Sequence, residues 1–133
     1  MKSVFVGRVF GSALLLGLCL SSGAYAQGAG GGRFGFTEQG GEAIFKNVCQ
    51  GCHMPDAKGA VGAGMYPALA KNPKLETAGY PVAVIVNGQK AMPAFGGMFS
   101  DQQVADVVNY TRTHFGNNYK DKVTPADVKA ARP

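Results

Sequence analysis

From residue 37 onward, apolar positions recur at spacings of three and four, the period of helices that bury one side. Ala43, Ile44 and Val48 share one such face, and Gly41, Phe45 and Cys49 repeat along another. Thr37 is placed to cap this helix with Glu38 in its first turn, although Gly40-Gly41 sits badly in a helix interior. Residues 55–67 read as loop, punctuated by Pro55, Gly59, Gly62 and Gly64 and closed by Tyr66-Pro67. A short helix over residues 67–71 is expected next. The β-branched run 82–86 would suit a strand, but Val82, Ile85 and Val86 keep helical spacing. Pro81 suits a first helical position, Asn87-Gly88 suits a stop, and no partner strand is visible, so the run is read as helix. The clearest helix starts at Ser100, where Ser100 and Gln103 form a capping box and Phe99 with Val104 a hydrophobic staple. Val104, Val107, Val108, Thr111 and Phe115 make its apolar stripe, and Gly116-Asn117 ends it. A last short helix is signalled by Thr124, Pro125 and Asp127. The expected fold class is all-α.

One of these helices carries the chemistry. Its end reads Cys49-Gln50-Gly51-Cys52-His53, a C-x-x-C-H sequence. Two thiols at this spacing add across the vinyl groups of a haem, and the adjoining imidazole then reaches the iron. Competing readings are a disulfide, a zinc half-site and a thioredoxin-like redox pair. Zinc needs further ligands at similar spacing, but Cys19 and His114 are the only other Cys and His. A redox pair belongs in a βαβ setting that this pattern lacks. The expected cofactor is therefore one covalently bound haem c, with Cys49 and Cys52 as thioethers and His53 as an iron ligand.

The start of the chain agrees with such chemistry outside the cytoplasm. Lys2 and Arg8 make a basic stretch ahead of an apolar run over residues 9–20, and Ala24-Tyr25-Ala26 supplies a cleavage site before Gln27. Residues 1–26 are expected to be a signal peptide directing a soluble protein to the periplasm; the run is short for a membrane anchor. Residues 27–36 hold glycines at 28, 30, 31, 32 and 35 and read as a flexible leader. The remainder of the chain is sized for one small domain. The whole chain has 13 basic and 8 acidic residues, a net +5, part of which leaves with Lys2 and Arg8. No Lys/Arg run points to nucleic acid.

In its motifs and their order the chain resembles a class I c-type cytochrome. Gly41 and Phe45 ahead of CQGCH, Pro67-Ala68-Leu69 after a Gly-rich loop, and Met92-Pro93-Ala94-Phe95 before the capped helix carry the resemblance. It implies a small cytochrome c fold of four to five helices wrapped around the haem, spanning 37–116. Residues 117–133 are then a C-terminal extension with a short helix. The resemblance also implies that the first and last helices cross near Gly41 and Phe45, and that the Pro67 carbonyl accepts a hydrogen bond from His53. The distal iron ligand lies among Met54, Met65, Met92, Met98 and His114. Met54 adjoins His53, Met65 belongs to the loop on the proximal side, and Met98 sits beside the staple. Met92, far downstream and stiffened by Pro93, is favoured, with Met98 and His114 left open.

A haem held by His53 and Met92 has no vacant position, which suits one-electron carriage and not catalysis. Lys46, Lys58, Lys71, Lys74 and Lys90 are candidates to steer acidic redox partners, a dehydrogenase as donor and an oxidase or another cytochrome as acceptor. The segment YKDKVTPADVKAARP resembles the tails of haem domains in periplasmic dehydrogenase complexes. A permanent electron-accepting subunit of an alcohol- or aldehyde-oxidising dehydrogenase is thus the alternative. A ligand-binding haem sensor or enzyme is a remote third.

Overall fold

The computed structural model describes residues 35–62 and 64–133. The signal peptide read over residues 1–26, and nearly all of the Gly-rich leader, lie outside them.

The first helical stretch changes pitch as it runs. It comprises α1 (Gly41–Ile44), a π-helical turn (Phe45–Cys49) and α2 (Gln50–His53). In the wide turn the Gln50 N–H reaches back to the Phe45 carbonyl, one residue further than an α-helix would. The helix does not begin near Thr37 as expected. The Gln103 side-chain amide donates to the Phe36 and Glu38 carbonyls at 2.8 and 2.9 Å, which holds this segment extended. Gly40 then turns at φ 79° before the helix starts.

Loop 55–67 contains a small antiparallel hairpin that the sequence did not signal, β1 (Ala60–Val61) paired with β2 (Met65–Tyr66). The helix expected over 67–71 is absent. Its backbone groups are engaged elsewhere: the Leu69 and Ala70 N–H groups both donate to the Ala57 carbonyl, and Lys71 adopts φ 48°. A 3₁₀ turn forms instead at Pro73–Leu75, capped by the Asn72 side chain.

The run 82–86 is helical, inside α3 (Gly79–Asn87). Pro81 is not its first residue, but it still lies in the first turn, where no intrahelical N–H bond is lost. Next come α4 (Asp101–Thr113) and α5 (Pro125–Ala130), each opened by a complete capping box.

Helix α4 is the centre of the packing and touches α1, α3 and α5. Val104, Val107 and Val108 are fully buried with Ile44, Phe45 and Val128. Phe99 and Val104, the predicted staple, both lie in this core. The crossing of α1 and α4 is close because Gly41 has no side chain. A Cβ there would sit 2.2 Å from the Asp106 carbonyl oxygen and 2.5 Å from Tyr110 Cβ. Phe45 fills the space beyond, its ring 5.9 Å from that of Tyr110 and 4.6 Å from that of Phe115. The C-terminal segment belongs to the same body. Arg112 of α4 is wholly buried and donates to the Leu75 and Glu76 carbonyls at 2.8 and 2.9 Å and to the Asp121 carboxylate at 2.7 Å.

Candidate functional site

His53 is the last residue of α2. Met54 ends the helix by turning to φ 66°, which sends the chain back across the imidazole. His53 is only 8% exposed, and its Nδ1 lies 2.9 Å from the Pro67 carbonyl oxygen. A carbonyl can only accept, so Nδ1 carries the proton and donates. Nε2 therefore keeps its lone pair free for a metal.

The return of the chain to Pro67 is built by loop 54–67. The Gly59 N–H donates to the His53 carbonyl at 3.0 Å, and Gly59 itself presses against Tyr66 and Pro67. At φ +69° this position favours glycine, and a Cβ would lie 2.0 Å from the Tyr66 oxygen and 2.9 Å from that of Pro67. Ala57, fully buried, anchors the same loop through the two N–H bonds that its carbonyl accepts.

Cys49 and Cys52 sit in the same helical stretch as His53, and both are free thiols. Their surroundings differ. Cys49 is half-buried against the core, and burial, with a smaller contribution from Cys52, pushes its thiol up to about 12. Cys52 is exposed. Among the described residues no group of three or more His, Cys, Asp or Glu gathers to hold a metal ion. Two thiols and an imidazole with a free Nε2 instead fit a haem attached by thioethers. The neighbouring loop adds large apolar side chains without protein cover, Val61 at 86% and Met65 at 77% exposure.

The remaining candidates come from elsewhere in the chain. Met92 is half-buried in the loop between α3 and α4, and its N–H and carbonyl exchange hydrogen bonds with Gln89 at 3.0 Å each. Gly88, at φ +73°, opens this turn, and a Cβ there would lie 2.8 Å from the Met92 carbonyl oxygen. Met98 lies just before the buried Phe99, and Met65 is on the exposed hairpin. His114 is exposed, its ring stacked on Tyr110 at 4.1 Å and its Nδ1 within 2.9 Å of the Tyr110 carbonyl. The structure thus joins His53 directly to Pro67 and carries Cys49, Cys52 and His53 on one stretch, while Met92 lies on a separate loop. Sequence reasoning missed the tight fit of Gly59, for which the Gly-rich loop was a signal. It also missed Arg132, which bonds Asp101 and carbonyls of residues 96–99 and has no local sequence signature.

Fold and site together define a small helical domain that carries a covalently attached haem. Residues 37–110 match the family described as cytochrome C oxidase, cbb3-type, subunit III. The chain is 37% identical over 105 residues to the cytochrome c subunit of alcohol dehydrogenase (quinone) from Komagataeibacter europaeus, covering 69% of this chain and 22% of that one. It is 33% identical over 114 residues to the gluconate 2-dehydrogenase cytochrome c subunit of Pantoea cypripedii, covering 74% and 25%. With cytochrome c6 of Bumilleriopsis filiformis it shares 37% identity over 75 residues, 53% of this chain and 83% of the relative. The chain belongs to the c-type cytochrome family. It spans about a quarter of the length of the dehydrogenase subunits it matches. Membership of this family implies one covalently bound haem c, with Cys49 and Cys52 at the matching spacing.

Proposed function

We propose that the protein is an exported one-electron carrier whose haem is bound through Cys49 and Cys52 and ligated by His53 and Met92. The observation that carries this reading is the buried His53 imidazole, its Nδ1 2.9 Å from the Pro67 carbonyl. A ring fixed in this tautomer presents one nitrogen to iron without having to reorganise when the charge on the metal changes. When bound, the haem supplies a reversible one-electron couple. The chain's own residues do the rest. Cys49, Cys52, His53 and Met92 would hold the group, and the soft Met92 thioether would favour its reduced state. His53 and Met92 would both be committed to holding the iron, which suits one-electron carriage and not substrate binding.

Residues 1–26 direct the chain to the periplasm in this reading, and donors and acceptors are redox proteins there. Among the described residues no helix is long and apolar enough to cross a membrane. The names of the relatives support a second reading, a permanent cytochrome subunit of a dehydrogenase that oxidises alcohols or related substrates.

Intact mass of the purified protein should equal residues 27–133 plus one haem, and acid-acetone should not extract the haem. Met92→Ala should abolish the weak near-infrared absorption of a ferric iron–methionine bond, whereas Met98→Ala should retain it. An extractable haem, or loss of the band with Met98→Ala alone, would refute the assignment.

A further inference from the structure

The backbone that leads from the Met92 turn into α4 is held from two sides. On one, the Phe95 and Gly96 N–H groups donate to the Ile85 and Val86 carbonyls of α3, at 2.8 and 3.1 Å. On the other lies Arg132, which follows α5. Its Nη1 donates to the Gly96 carbonyl, its Nη2 to the Phe99 carbonyl at 2.9 Å, and its Nε to Asp101 Oδ1 at 2.6 Å. One planar fork therefore ties two carbonyls of this segment to the first residue of α4. The pair is partly sheltered, with the Arg132 and Asp101 side chains 26% and 30% exposed, so water screens these charge-assisted bonds only in part. The fit is close: a Cβ on Gly96 would lie 2.7 Å from the Val86 oxygen and 3.4 Å from Arg132 Nη1.

We propose that Arg132 is a positioning residue for the ligand loop. By fixing residues 96–99 against α4, it limits how far Met92 can swing away, and so keeps the iron closed to external ligands. This inference rests on Met92 being the distal ligand. A lysine at the same place would have only a point charge where the fork makes three separately directed bonds.

The test uses haem-loaded wild type, Arg132→Ala, Arg132→Lys and Met92→Ala. Three quantities are read: the near-infrared band against temperature, the rate of carbon monoxide binding to the ferrous protein, and amide hydrogen exchange. With Arg132→Ala the band should fade well below the global melting temperature. Carbon monoxide should bind about tenfold faster, the worth of roughly one such hydrogen bond. Exchange should quicken at the Met98 and Phe99 amides and not at Val107 or Val108 in the helix core. Arg132→Lys should recover only part of the wild-type behaviour. If Arg132→Ala does not fold, Arg132→Lys and Asp101→Asn carry the test, and unchanged carbon monoxide rates in both overturn the proposal. A lower melting temperature with an unaltered band and rate would also overturn it, since Arg132 would then be structural only. A band that survives Met92→Ala defeats the ligand assignment instead. Loss of the band there, beside an unaffected Arg132→Ala, defeats only the role given to Arg132.

Discussion

Cys49 and Cys52 are chemically alike in the sequence and unlike in the fold. Thioether formation adds S–H across a vinyl double bond and needs a reachable sulfur. Cys52 is exposed, but Cys49 is packed against the core with its thiol pushed up to about 12, so it is protonated and shielded at neutral pH. Haem attachment at Cys49 should therefore precede closure of this fold. In haem-free protein, iodoacetamide should alkylate Cys52 first and reach Cys49 only as denaturant is added; equal rates without denaturant would contradict this. Much at this scale was legible. CQGCH names its own chemistry, and its likeness to known cytochromes singled out Pro67, which the fold sets against His53. The loop geometry that brings Pro67 there was only hinted at by the Gly-rich loop, because Gly59 and Ala57 act through contacts with residues 66–70 that local sequence does not specify.

Among the elements, α4 and α5 were readable because their start signals are local. Ser100 with Gln103 and Thr124 with Asp127 each satisfy backbone N–H groups within a single turn, a contribution of about 1 kcal/mol per cap. Thr37 failed as a helix start for a reason that no local window contains: Gln103, far along the chain, takes the Phe36 and Glu38 carbonyls. The crossing of α1 on α4 yields a direct prediction. Gly41→Ala places a methyl against backbone, which cannot swing aside as a side chain can, and overpacking of this kind costs about 1–3 kcal/mol. Denaturant titration should show this loss, and an unchanged midpoint would mean that the helices do not meet as described. In α5 the Asp127 carboxyl is held below the usual carboxylate range, chiefly by the Thr124 hydroxyl. Its stabilising effect is whole above that range and disappears as pH falls through the lowered value. Thermal melts of Asp127→Asn should accordingly show a small loss at neutral pH and a shallower decline on acidification.

For the whole molecule, charge separates a mobile carrier from a docked subunit. Lys46 and Lys58 are met by Glu42 and Asp56 at 2.6 and 3.0 Å, which leaves Lys71, Lys74 and Lys90 as the steering candidates without a carboxylate partner among the described residues. A carrier that meets an acidic partner by diffusion should react more slowly as salt rises, because screening confines these charges to about 8 Å at physiological ionic strength. Lys90→Glu should weaken that salt dependence more than Lys58→Glu. First-order, salt-indifferent reduction within a co-eluting dehydrogenase would identify the subunit instead. The way the chain arrives and leaves bears on the same choice. Phe36, ahead of the first helix, lays its ring 4.9 Å from that of Phe99, and Arg132, after the last helix, donates to the Phe99 carbonyl at 2.9 Å. The two ends of the domain are thus knotted to one residue. Such a bead can be spliced between other modules, or hung from a surface on a short tether, without prising its helices apart. A pull on either strand would be felt first at Phe99, the residue two before α4 begins.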